Sequence, residues 1–65
     1  MSPDEIKHAR KVLGLTQAQM AVVMGYADNS RISHIEAGRE KISRQAELLL
    51  RAYLDGYRPD GWPSK

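Results

Sequence analysis

An all-α fold, a compact bundle of four or five short helices, is what the sequence of this 65-residue chain predicts. Three observations carry that expectation. Capping residues recur at Ser2, Thr16 and Ser43, and glycines stand at Gly14, Gly25, Gly38 and Gly56, where helices so started must stop. Between them apolar residues repeat at three- and four-residue spacing, with no β-type alternation and no internal repeat. Residues 1–57 read as one helical domain and residues 58–65 as a C-terminal Pro/Trp tail.

The first helix opens on Ser2 as N-cap, with Pro3 at its first position, Asp4 at its second and Glu5 closing a capping box. Ile6, Ala9 and Leu13 then form an apolar stripe, so the helix runs from Pro3 to Leu13 and ends at Gly14. Thr16 caps the second helix, Gln19 completes a second box, and Leu15 with Met20 has the spacing of a hydrophobic staple. Met20, Val23 and Met24 point inward, and Gly25 stops the helix. Tyr26, Ala27 and Asp28 make a turn, and Asp28, Asn29 or Ser30 caps the third helix.

In the third helix Ile32 and Ile35 share one side. At about 100° per residue, Ser30, His34 and Ala37 fall opposite, flanked by Ser33, Arg31 and Asn29. After Gly38 the charged link Arg39-Glu40-Lys41 leads to Ser43, which caps a fourth helix from Arg44. There Ala46, Leu49, Leu50, Tyr53 and Leu54, with Tyr57 beyond Gly56, continue an amphipathic pattern.

Composition narrows the function. Ten Lys plus Arg against eight Asp plus Glu give a net charge of +2, compatible with a polyanionic partner. With no cysteine the chain has neither a disulfide framework nor a thiolate metal site, which fits a reducing, cytoplasmic setting. The opening segment is broken by Asp4, Glu5, Lys7, Arg10 and Lys11, so no signal peptide or membrane span is expected there. A domain this small buries only about 60% of its unfolded surface, and dimerisation is the inexpensive remaining stabiliser. His8 and His34 have no metal-ligand partners at suitable spacing, and no triad or phosphate loop is visible. No metal, cofactor or enzymatic activity is expected.

Thr16 to Gly38 carries the most information. Gln17-x-x-x-Ala21-x-x-x-Gly25, then Ile32 and Ile35, then Ile35-Glu36-x-Gly38, resembles the helix-turn-helix of the phage repressor and Cro family, also called the Xre family. The likeness spans about residues 5 to 55 and makes physical sense. Two short crossing helices need a small residue where they touch, at Ala21, a glycine at the turn, and branched residues beneath the recognition helix. Between Gly25 and Ile32 the chain has one residue more than the commonest family spacing, so either the turn is longer or the recognition helix starts earlier. Where the family often has a fifth helix, this chain has its Pro/Trp tail.

The resemblance implies a lambda-repressor-like bundle whose third helix enters the major groove of double-stranded DNA. It maps the base-contacting positions onto Asn29, Ser30, Arg31, Ser33 and His34. Asn pairs with adenine and Arg with guanine in bidentate fashion, whereas Ser and His are more permissive. Gln17 resembles the family's phosphate-contacting glutamine, and Arg39, Lys41, Ser43 and Arg44 are the other candidates for the DNA backbone. Arg10 and Glu36, each about 40° from an apolar stripe, match a structural ion pair of the family. Leu48 and Ala52 lie off the main stripe of the fourth helix, and with Trp62 they form the expected homodimer surface; the other use for Trp62 is to fold back over Tyr53 or Tyr57.

The function these features imply is sequence-specific DNA binding by a symmetric homodimer on a near-palindromic operator, with repression by steric occlusion. A small phage or mobile-element autorepressor is the nearest analogy. Two alternatives are an antitoxin using the same DNA-binding unit and its apolar tail to hold a toxin, and a protein-interaction module that binds no DNA.

Overall fold

A computed structural model describes residues 1–63; Ser64 and Lys65, the end of the tail, lie outside the described residues. Four helices follow in order, α1 (Pro3–Val12), α2 (Gln17–Met24), α3 (Ser30–Glu36) and α4 (Arg44–Leu54), with no strand among the described residues. Their starts are set locally. Ser2 Oγ accepts the Glu5 amide while the Glu5 carboxylate accepts the Ser2 amide, and Thr16 and Gln19 repeat that exchange at the head of α2. Ser43 Oγ accepts the Ala46 amide at 3.1 Å and starts α4.

One boundary differs from expectation, and one open choice of cap is resolved. Leu13 is the capping residue of α1 rather than its last helical one, because its neighbour Gly14 already has φ 73°. Of the three cap candidates for α3, Asp28 serves: its Oδ1 accepts the Ser30 amide at 2.9 Å, while Asn29 has helical backbone angles and makes no side-chain cap.

The helices stack in two directions. α3 packs on both α1 and α2, and α4 packs on the same two helices. Ile6 and Ala9 of α1, Leu15, Met20, Ala21 and Met24 around α2, Ile32 and Ile35 of α3, and Leu50 and Tyr53 of α4 form the buried core. The Cα radius of gyration, 10.7 Å, is that of a close-packed chain of this length. Apolar burial drives this packing. Every buried side-chain polar atom among the described residues has a hydrogen-bond partner, which removes the usual penalty for enclosing such groups.

The apolar stripe of α4 is narrower than the sequence pattern. Leu50 and Tyr53 are buried, Ala46 and Leu49 are half-buried, but Leu54 and Tyr57 are 40% and 54% exposed. A step of four residues turns about 40° past a full helical revolution, so Leu54 drifts off the face that Leu50 buries, and Tyr57 lies past the end of α4. Val23, expected inward, is half-buried. Its carbonyl instead accepts the Tyr53 hydroxyl and ties α2 to α4. Burial raises the Tyr53 phenol above its ordinary pKa, with the Tyr57 phenol adding to the effect.

The tail folds back. Trp62 meets Tyr53 edge-on with ring centroids 4.9 Å apart, and Tyr57 stacks parallel to Tyr53 at 5.9 Å. Arg58 lies 4.4 Å over the indole and donates Nη1 to the Tyr53 and Tyr57 carbonyls. Trp62 is therefore half-buried against its own chain, the fold-back use over Tyr53; an aromatic ring gains more from an adjacent core than from solvent.

Candidate nucleic-acid interface

The turn between α2 and α3 fixes how α3 is presented. Gly25 adopts φ 77°, a left-handed conformation open to glycine at no steric cost, and the Tyr26 amide closes back on the Ala21 carbonyl at 2.9 Å. Ala21 of α2, 2% exposed, is a small side chain within the core. Beneath α3, Ile32 and Ile35 are 1% and 2% exposed and hold its inner face against the core.

Its outer face is uncovered. Asn29, Ser30, Arg31, Ser33 and His34, the five candidate base-contacting residues, are all exposed. Asn29 also contributes its carbonyl to the first helical hydrogen bond, from the Ser33 amide. Arg31 is the one member with a side-chain partner: Nε donates to Glu40 Oε2 at 2.6 Å, and its Cζ lies 5.0 Å from the Tyr26 ring centroid.

A charged node behind this surface sets its position. Arg10 of α1 donates Nε and Nη2 to the two Glu36 carboxylate oxygens, and Nη1 to the Leu15 carbonyl. Gln17 of α2 adds a bond from Nε2 to Glu36 Oε1 at 3.1 Å. Glu36, the last residue of α3, thus joins three helices at one carboxylate. Desolvation pushes the Glu36 carboxyl up, but hydrogen bonds from Arg10 and Gln17 and the charges of Arg10 and Lys7 outweigh it and hold the pKa below the ordinary value.

Gln17 thereby has a partner that the sequence does not announce. Its amide is half-buried and turned to Glu36, leaving one Nε2 hydrogen to donate in any phosphate contact. Arg39, Lys41 and Arg44 follow α3 and are exposed, and among the described residues none has a side-chain hydrogen bond or ion pair. The Arg39 amide bonds the His34 carbonyl at 2.9 Å, which anchors that link to the end of α3. The Ser43 hydroxyl, occupied as acceptor in the α4 cap, keeps its proton for donation.

The expected homodimer residues differ in exposure. Leu48 is 50% exposed, Ala52 is half-buried, and Trp62 is turned onto Tyr53. The other large apolar side chains in solvent are Val12, Val22, Leu54 and Tyr57.

Two residues near Arg31 are signalled by no sequence pattern. Tyr26 and Glu40 stand five residues before and nine after it, separations at which no helix or strand rule pairs side chains. Among the described residues no group of three or more His, Cys, Asp or Glu is arranged to hold a metal ion, and no helix is long and apolar enough to cross a membrane. Comparison of the chain with protein-family models, curated proteins and solved structures gives no match.

Proposed function

We propose that this protein is a sequence-specific DNA-binding transcriptional regulator that represses by occluding an inverted-repeat operator. It acts as a homodimer, with α3 of each subunit in successive major grooves about 34 Å apart. The observation that carries this reading is the contrast across α3: Ile32 and Ile35 are buried, while Asn29, Ser30, Arg31, Ser33 and His34 all face solvent on a helix held at its far end by Arg10, Gln17 and Glu36. A rigid helix with a polar outer face and no covering chain is what base-edge readout needs.

Charge supports the same reading. Arg39, Lys41 and Arg44 have no competing ion pair among the described residues and follow directly on α3, where phosphate contacts would fix its register. The likeness to phage repressor and Cro proteins in the Gln17 to Gly38 segment points the same way. Leu48, half exposed, and Ala52 four residues further along the same side of α4 are the natural subunit contact.

Selection of bound duplexes from a random pool, followed by a salt titration, tests the proposal. Enrichment of an inverted repeat is expected, with affinity falling roughly 10³- to 10⁵-fold between about 50 and 200 mM salt if about 6 to 10 phosphates are contacted. Lys41→Ala should weaken all duplexes evenly and lower the salt slope by about 1, the share of a single phosphate. No enrichment together with a flat salt response would instead mark a protein-interaction module.

A further inference from the structure

The arginines of this chain differ in how much of the guanidinium is already spent. Arg10 uses Nε, Nη1 and Nη2 within the fold, Arg51 gives Nε and Nη2 to Glu47, and Arg58 gives Nη1 to two carbonyls. Arg39 and Arg44 have no side-chain partner among the described residues. Arg31 combines anchorage with an open fork: only Nε is bonded, to Glu40 Oε2, while its Cζ lies 5.0 Å from the Tyr26 ring centroid and neither Nη atom has a partner among the described residues.

We infer that Tyr26 and Glu40 are positioning residues that make Arg31 a guanine reader. The inference rests on the DNA-binding reading and adds the base that one recognition position selects. Tyr26 is half-buried against the core and its backbone closes the α2 turn, so its ring is a fixed platform. Glu40 is half-buried, and its backbone neighbour Arg39 is bonded to the end of α3. Ring and carboxylate together bias the guanidinium toward one placement before any ligand arrives. The two Nη groups are left as a planar fork with no partner among the described residues.

Two acceptors in one plane complete that fork. Guanine offers them at O6 and N7 in the major groove; a phosphate offers them on the backbone. The pre-set plane favours the base, because phosphate can be met by flexible partnerless cations, which Arg39, Lys41 and Arg44 supply, whereas a base edge admits one plane only. The Arg31–Glu40 pair is exposed, 56% and 34% by side chain, and such pairs are weak. Glu40 therefore orients the arginine without trapping it.

The experiment uses the full chain and the duplex enriched from a random pool, in three forms: unchanged, with single guanines replaced by adenine, and with single guanines replaced by 7-deazaguanine, which lacks N7. For the unaltered protein one guanine per half-site should show roughly 10- to 100-fold loss in both replaced forms. Glu40→Gln, which removes an exposed ion pair and leaves the core intact, should bind the adenine-replaced duplex as well as or better than the unaltered protein, yet discriminate guanine by less than about 3-fold. Arg31→Lys keeps the charge without the fork, and should abolish discrimination at the same guanine while retaining the salt slope. Undiminished discrimination in Glu40→Gln overturns the positioning role. Tolerance of 7-deazaguanine at every position overturns guanine readout and leaves Arg31 a phosphate contact. A protein that enriches no duplex at all removes the DNA-binding reading itself, an outcome separate from either.

Discussion

Glu36 accepts Arg10 Nε at 2.7 Å and Arg10 Nη2 at 3.2 Å, a bidentate pair that joins the last residue of α3 to the last turn of α1. Both side chains are largely enclosed, at 12% exposure for Arg10 and 5% for Glu36. An enclosed pair is costly to break from one side, because the abandoned charge stays desolvated. Arg10→Met should therefore lose about 3 kcal/mol in urea denaturation. A domain of this size has only about 3 to 10 kcal/mol in total, at about 0.05 to 0.15 per residue. Replacing both partners with apolar residues should restore most of the loss. A single-variant cost under about 1 kcal/mol would mean that the pair is screened and does not fix α3.

Acid should act through the same carboxylate. The Glu36 pKa is lower in the folded chain than the ordinary glutamate value of about 4.3, so its contribution is complete above that value and disappears as pH falls through the folded pKa. Glu5, held low by the Ser2 backbone and side-chain hydrogen bonds, and Glu47, held low by Arg51 and the Met1 amino group, shift in the same direction. Calorimetric melting temperatures should be flat from about pH 7 to 5 and fall steeply below about pH 4.3, with a shallower fall in Glu36→Gln. Equal slopes for the two proteins would remove Glu36 from the acid response.

Tyr53 links α4 to α2 through its hydroxyl on the Val23 carbonyl. Tyr53→Phe keeps the ring contacts with Tyr57 and Trp62 and deletes only that bond. A loss of about 0.5 to 1.5 kcal/mol with an unchanged urea m value is expected. Because Trp62 is the one tryptophan and lies edge-on to Tyr53, its fluorescence follows the same transition. A tryptophan signal that melts well before the helical circular dichroism would show the tail to be independent of the core.

Leu48 tests the subunit contact. It is half exposed on α4, away from the core that Leu50 and Tyr53 bury, so a charge there should spare the fold. Leu48→Asp is expected to sediment as a monomer with an intact helical spectrum and to bind an inverted repeat at least about 10-fold more weakly, since two linked half-sites reinforce each other. An unchanged sedimentation coefficient would move the contact elsewhere, with Val12 and Leu54 the next exposed apolar residues to replace.

Short-range structure is what can be read directly from the chain. The Ser2/Glu5 and Thr16/Gln19 boxes and the burial of Leu15, Met20, Ile32 and Ile35 all follow from spacings of a few residues, and the structure has each of them. Arg10 with Glu36 takes helical position and resemblance together, across 26 residues of chain. Contacts set by tertiary packing have no such signal: Gln17 on Glu36, Arg31 on Glu40 and Tyr53 on Val23. The pattern overstates the α4 stripe at Leu54 and Tyr57 because periodicity gives a direction around the axis but not where the neighbouring helices end. For the interface, the sequence pattern names the outward residues of α3; their common exposure is a property of packing.

The most direct test follows backbone amide signals of the isotopically labelled protein as the pool-selected duplex is titrated in. Perturbations concentrated at Asn29 to His34, with weaker ones at Gln17 and from Arg39 to Arg44, are the predicted result. Signals that move mainly around Val12, Leu48 and Leu54, or that do not move at all with saturating duplex, would contradict a DNA-reading role for α3.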